Sequence, residues 1–461
     1  MSSDTGLKLN FDILLMLMDY IDRKDILSLM QTCHYMYLAG IPTLLRYPVV
    51  LSYEQDFASF CEFMLSSPLI RPRYVRELIM GPTARLPKDL VNKLVYVLTH
   101  MEGLEKFTIA CENDPSEAAL MAALAATTSI TNLSIESPNA TVAQVLNRWK
   151  SPVTKVAVSF DERKLIGQSD EIRTRYLDPT WVFAPLSGTV REMQAIWPRY
   201  FSSKVVFPAV DTLQVHAYRP AAMNDTMRAF PNLKRLLVSF EMGFDPDKLL
   251  RERHDNETDE HNQHWQSLQY VQGDVGSVYV CSLPCKVEHL DLTVPHRCRN
   301  ADVLIPAVAA AAQPARLDLH FIENCVHLEP LQAALCAAAS LVTHLDIIYR
   351  VPCDDIKISY IIDDILASFP RLIALKEVTL SINWYRADRV APRFNGRAAE
   401  PDPIELTLKS YDCEALAHRM AGLIPSSHLE KIALNFAYSG DHEWQVDTGK
   451  QEKLLTLIPR S

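Results

Sequence analysis

The chain of 461 residues is 48% hydrophobic and 22% charged, enough apolar material for a large core and, at this length, for more than one domain. Its net charge of −10 argues against broad nucleic-acid binding, which depends on neutralising phosphates. Ten cysteines scattered through the sequence fit reduced thiols better than a disulfide framework, so a cytoplasmic or nuclear location is expected.

Residues Met1 to Lys8 are polar and lack the pattern of a secretory leader. Directly after them, Ile13, Leu14, Leu17, Met18 and Ile21 form one helical stripe, and Leu15 and Met16 make the opposite side apolar too. A second helix is predicted after Asp22, its N-cap, with Asp25 complementing the dipole and Ile26, Leu29, Met30, Cys33 and Tyr37 on one face. A unit of this size cannot bury so much apolar surface alone, so either the rest of the chain or another protein must cover it.

These positions, Leu9-x-x-Asp12-Ile13-Leu14-x-x-Leu17-x-x-x-Ile21-x-x-x-Asp25-Ile26-x-x-Leu29-x-x-x-Cys33, resemble the F-box motif over residues 7–47. Asn10 stands where that family usually carries proline. The resemblance implies a small helical module that docks on a Skp-type adaptor and, through it, a cullin. By the same resemblance the adaptor-binding residues are Leu9, Ile13, Leu14, Leu17, Met18, Ile21, Ile26 and Leu29. The competing reading is an ordinary N-terminal hairpin packed on its own domain.

Residues 48–73 mix a helical stretch, Phe57 to Leu65, with Pro68 and Pro72, and read as a connector. From residue 74 a pattern returns: an aliphatic residue, two others, an aliphatic residue, one other, an aliphatic residue. It occurs as VRELIM (from Val75), LEKFTI (Leu104), ITNLSI (Ile130), VTKVAV (Val153), VDTLQV (Val210), LKRLLV (Leu233), VEHLDL (Val287), VTHLDI (Val342), LKEVTL (Leu375) and LEKIAL (Leu429). Degenerate copies lie near Leu317 and Leu406. Starts at 104, 130 and 153 lie 26 and 23 residues apart, a spacing similar to that of leucine-rich repeats. The alternation predicts short strands, and the returns at Leu86 to Gly103 and Pro115 to Thr128 predict helices. The expected fold is therefore α/β: a helical F-box module, then an irregular leucine-rich-repeat solenoid over residues 74–461, with parallel strands on the concave side and helices on the convex side.

Three intervals break the period. Asp161 to Ala209 holds only a weak copy, and Asp245 to Gln266 reads as a solvated insertion. Arg386 to Pro403 reads as a proline-interrupted loop carrying Arg386, Arg389, Arg393 and Arg397. The C-terminal tail is expected to end in a capping helix around Glu452 to Ile458.

No phosphate-binding glycine loop, nucleophile elbow or H-E-x-x-H motif occurs, so neither a cofactor nor catalysis is expected. Cys281, Cys285, His289, His296 and Cys298 offer zinc-type ligands, but Pro284 separates the first two and His289 has a strand role, so no metal site is assigned. His254, His261 and His264 sit in a polar loop that needs no ion. The longest nearly apolar run, Val303 to Ala312, is too short for a bilayer, so no membrane partner is expected.

What remains is recognition of a protein by the outward residues of the strands. The candidate substrate-binding residues are His289, Asp291, His344 and Asp346, with Arg386, Arg389, Arg393 and Arg397 as a cluster able to fork onto carboxylate or phosphate groups. The sequence thus points to a non-catalytic, substrate-recognition subunit of an F-box-type ubiquitin ligase. A leucine-rich-repeat scaffold without a ligase role is the alternative, and an enzyme hidden in Asp161 to Ala209 a more distant one.

Overall fold

The computed structural model describes residues 11–461, apart from 83–85, 113–114, 166–168, 200, 203, 220–221, 242–244, 258–264, 284, 296–297, 299, 323–334, 336–339, 352–357, 385–402, 438–439, 448–453 and 459–461. The chain forms two compact units, Met1–Val210 and Asp211–Ser461. The boundary falls inside the stretch read from sequence as one repeat domain, just after the interval that loses the repeat period.

The first unit opens with helices α1 (Phe11–Met18), α2 (Arg23–Met30) and α3 (His34–Leu44). Asp22 caps α2 as expected, its carboxylate accepting from the Asp25 backbone N–H at 3.0 Å. Met18, Ile26, Met30, Met36, Ile41 and Leu45 form the buried core of this module. Gly40 lets α3 approach α2: a Cβ there would lie 2.4 Å from Met30 Cγ.

The segment read as a connector holds a strand and a helix. Strand β1 (Val49–Leu51) pairs in parallel with β2 (Glu77–Met80), and helix α4 (Glu54–Leu65) buries Phe57, Phe60, Cys61 and Met64 between them in sequence. The parallel ladder thus begins at Val49, ahead of the first aliphatic triplet at Val75. Beyond β2 the ladder continues through β3 (Lys106–Ala110), β4 (Asn132–Glu136), β5 (Lys155–Ser159) and β6 (Glu192–Ile196), every neighbouring pair parallel. Helices α5 (Lys88–Leu98), α6 (Pro115–Ala125) and α7 (Ala140–Leu146) supply the returns.

In the second unit β7 (Thr212–Ala217), β8 (Arg235–Phe240), β9 (Ser267–Asp274), β10 (Lys286–Pro295), β11 (Arg316–Ile322), β12 (His344–Val351), β13 (Glu377–Trp384) and β14 (Lys431–Phe436) form a parallel ladder in chain order. Each strand therefore pairs only with the repeats before and after it, the arrangement of a stacked repeat. The three aliphatic anchors are sealed: Val287, Leu290 and Leu292 in β10, and Val342 just before β12 with Leu345 and Ile347 in it, are all buried. Helices α12 (Val275–Val280) and α13 (Ala301–Ala312) pack on that side of β9 and β10, leaving the alternate residues on an open face.

Five sequence expectations change. Strands β6 and β9 were weak or absent in the pattern because Ala195 and Gly273 replace the third anchor. The expected insertion at Asp245 to Gln266 contains helix α11 (Pro246–Glu257), held by buried Leu249 and by Asn256, whose amide donates to the Val280 carbonyl at 2.8 Å. Buried Leu249 stands in a helix with nine polar residues, which hides it from a reading of periodicity. The degenerate copy near Leu406 is a helix, Pro403–Lys409, in which Leu408 is buried and Leu406 exposed; without the first anchor the alternation does not recruit a strand. At the C-terminal end β15 (Gly440–Asp447) and β16 (Leu454–Leu457) turn antiparallel. A strand hairpin thus covers β14, where a capping helix was expected, because it satisfies the hydrogen-bonding edge that a helix would leave open.

Gly273 is set by close packing. A Cβ would meet the Val238 carbonyl oxygen at 2.4 Å and the Val238 and Val278 methyls at 3.0 Å, since α12 begins only two residues later and folds back over β8 and β9. Gly273→Val is expected to lower stability by about 3 kcal/mol or more, through overpacking against backbone. Urea unfolding followed by circular dichroism checks it; an unchanged midpoint would contradict this packing.

Candidate functional site

Register in the second unit arranges the outward side chains in rows. The first row runs Arg235, Tyr270, His289, Arg316, His344, Glu377, Lys431 across β8 to β14. The second runs Leu237, Gln272, Asp291, Asp318, Asp346, Thr379, Ala433. Three successive strands thus place a carboxylate at the same rung. Neighbouring strands lie about 4.8 Å apart, so like charges facing one another across the ladder repel.

The flanking rows supply polar partners unevenly. Asp318 receives most of them: His289 Nε2 lies 2.7 Å from its Oδ2, and Arg316 Nε donates to its Oδ1 at 3.1 Å. Asp291 Oδ2 accepts from the Tyr270 hydroxyl at 2.9 Å, while His320 Nε2 stands 3.5 Å from Oδ1, beyond a good hydrogen bond. Asp291 Oδ1 and Asp346 Oδ1 are both buried without a hydrogen-bond partner among the described residues. Tyr270 is braced on two sides, its ring edge-on to His289 at 4.9 Å and under the Arg235 guanidinium at 5.1 Å.

The electrostatics follow from this crowding. Burial, then the carboxylate of Asp318, hold the Asp346 carboxyl above the usual carboxylate range, against the pull of His320 and Arg316. Burial and the hydrogen bond to Asp291 push the Tyr270 phenol up, so it stays a donor. The hydrogen bond to Asp318 raises Arg316, which stays charged.

Four of the residues singled out in the sequence, His289, Asp291, His344 and Asp346, therefore meet on one face. His344 is directed at the edge of the cluster, 3.7 Å from Glu377. The arginines Arg386, Arg389, Arg393 and Arg397 lie outside the described residues. Tyr270, Arg316, Asp318 and His320 belong to the cluster and were missed. A signal for two of them exists: His289-Leu290-Asp291, Arg316-Leu317-Asp318 and His344-Leu345-Asp346 repeat one cation-leucine-aspartate triplet at the same strand position.

The N-terminal module presents the other candidate surface. Ile13, Met16, Leu17 and Leu27 are 49%, 65%, 42% and 41% exposed, and Tyr20 and Tyr35 are also exposed. Leu14, Ile21 and Leu29 are half-buried. Met18 and Ile26, assigned by resemblance to the adaptor interface, are instead fully buried among the module's own three helices. Helical periodicity cannot separate a face turned to a neighbouring helix from one turned to a partner. Leu9 lies outside the described residues.

Two other clusters carry shifted groups. Burial lifts the Cys285 thiol to about 11 and the Cys281 thiol further still. His296 lies outside the described residues, and among those described no group of three or more His, Cys, Asp or Glu is arranged to hold a metal ion. In the irregular interval of the first unit, burial lifts the Asp178 carboxyl to about 6. Its two oxygens accept from the Thr180 backbone N–H at 2.8 Å and the Ser202 backbone N–H at 3.0 Å, the work of a helix cap and chain tie.

No family model and no curated protein matches the chain. Among solved structures it is similar to a crystal structure of a TLR13–ssRNA13 complex, at 11% identity and a TM-score of 0.31, over 68% of this chain and 54% of that one. The chain thus spans about half the length of that neighbour.

Asp346 binds its proton more tightly folded than unfolded. Its contribution to stability is full below the ordinary carboxylate pKa of about 4 and is lost as pH rises through the raised folded value. Asp346→Asn is therefore expected to raise the melting temperature at neutral pH, with the gain shrinking towards about pH 4. Thermal melts of both proteins across that range check it; a gain that grows on acidification would have the wrong sign.

Proposed function

We propose that this chain is the substrate-recognition subunit of a Skp-cullin-F-box type ubiquitin ligase. The N-terminal helices dock on the Skp-type adaptor, and the leucine-rich-repeat-like strands present a protein to the ligase. Catalysis then belongs to other subunits.

One observation carries the reading: a three-helix module whose own core is already filled by Met18, Ile26, Met30 and Met36 still leaves Ile13, Met16, Leu17 and Leu27 exposed. An apolar face of this kind next to F-box marker positions is what an adaptor interface requires. The in-register, polar open face of the second unit supports the recognition half, because stacked repeats bind partners along their length. Among the described residues no helix is long and apolar enough to cross a membrane. The cytoplasm or nucleus, where the ligase machinery works, is the proposed location.

The second reading, a repeat scaffold without a ligase role, shares the open face and differs only in the module. Co-expression with a Skp-type adaptor and co-purification separates the two. Leu17→Asp places an uncompensated carboxylate in the proposed interface without touching the module's core, and is expected to weaken adaptor binding about 100-fold or more while leaving the melting temperature unchanged. Met18→Asp is expected to unfold the module instead. A folded Leu17→Asp protein that still co-purifies with the adaptor would refute the docking assignment.

A further inference from the structure

Charges on the open strand faces are mostly paired off across the ladder. In the first unit Lys106 Nζ reaches Glu77 at 3.2 Å and Lys155 Nζ reaches Glu192 at 2.6 Å. In the second, Lys431 Nζ reaches Glu443 at 2.9 Å. The row of Asp291, Asp318 and Asp346 departs from this habit, since no cation shares it.

The deficit is local and specific. Asp318 is satisfied by His289 and Arg316, whereas the carboxylates on either side of it each keep an oxygen with no donor. Asp291 is only 7% exposed, so water reaches it poorly, and its Oδ1 lies 3.5 Å from the His320 imidazole on β11. A buried carboxylate oxygen without a donor is costly, and both oxygens lack a hydrogen-bond donor among the described residues.

We infer that this row is a pocket for a basic side chain, a lysine or arginine in an exposed segment of the protein that the chain recognises. The inference rests on the open face being the partner-binding face. An ammonium offers three donors and a guanidinium five, neither offers an acceptor, and either supplies what Asp291 and Asp346 lack. An acidic or phosphorylated segment would add a further anion to three carboxylates whose one arginine is already engaged with Asp318.

The walls of the pocket differ in firmness. Tyr270 is fixed by Asp291, His289 and Arg235. The His320 imidazole makes no hydrogen bond to another described residue and is partly exposed, so it is the side chain that moves aside to admit the ligand. The raised Asp346 carboxyl returns towards its ordinary range once a cation is seated beside it.

The test is a selection of displayed random dodecapeptides on the immobilised full-length chain, followed by binding of fluorescent copies of the winners. Lysine or arginine is expected at one fixed position of the enriched peptides. Asp291→Asn/Asp346→Asn is expected to weaken the leading peptide about tenfold or more. Replacing its lysine by norleucine, or its arginine by citrulline, should do the same. Arg316→Gln leaves Asp318 less neutralised and should tighten binding; it gives an independent answer if the double variant does not fold. Enriched peptides that bind this face but carry no basic position, or equal binding by wild type and the charge variants, would overturn the inference and leave the recognition-subunit reading intact. Failure to enrich any peptide that competes at this face would overturn both. Loss of the adaptor interaction with basic selection preserved would overturn only the ligase assignment.

Discussion

The structure depends on the registered parallel ladder. Each repeat contributes one short strand whose first backbone bonds are made to the residue just before the preceding strand: Glu105 N–H to the Arg76 carbonyl and Thr131 N–H to Glu105, both at 2.9 Å, and in the second unit Lys376 N–H to Thr343 at 2.8 Å. This bond fixes the rung on which the next strand starts. Because side chains alternate with a period of two, a slip of one residue would turn every leucine anchor outward and every aspartate into the core, so the register is strongly enforced.

That enforcement is what brings the carboxylates together. Asp291, Asp318 and Asp346 are dispersed in sequence, and nothing in local chemistry draws three anions to one place. They meet because Leu290, Leu317 and Leu345 beside them must be buried. Apolar burial drives the assembly and the repulsion between carboxylates is tolerated, as raised Asp346 shows. The cluster is held against its own electrostatics by the rest of the fold, the feature on which the proposed binding role rests.

The helical module follows different logic. Its core is small and complete, with Gly40 allowing α2 and α3 into close contact, so the apolar residues left outside cannot be absorbed by better packing. The two surfaces are of opposite character: an apolar patch on helices, to which the proposed adaptor contact is assigned, and a carboxylate row on strands, to which the proposed basic-residue contact is assigned.

The sequence by itself determined the repeat unit, the strand positions carried by the aliphatic triplets, the cap at Asp22 and the surplus of apolar surface near the N-terminus. These are local properties, written in the spacing of side chains along ten or twenty residues. It also nominated His289, Asp291, His344 and Asp346, because they sit between anchors. Only the tertiary structure decided that Met18 and Ile26 face inward, that Gly273 is a packing site under α12, and that a strand hairpin covers β14. The same holds for the carboxylate cluster. Tyr270, Arg316, Asp318 and His320 join it through registers between strands about 20 to 30 residues apart, set by cross-strand pairing. Pairing partners are chosen by the stacking of whole repeats, and no window along one strand contains that choice.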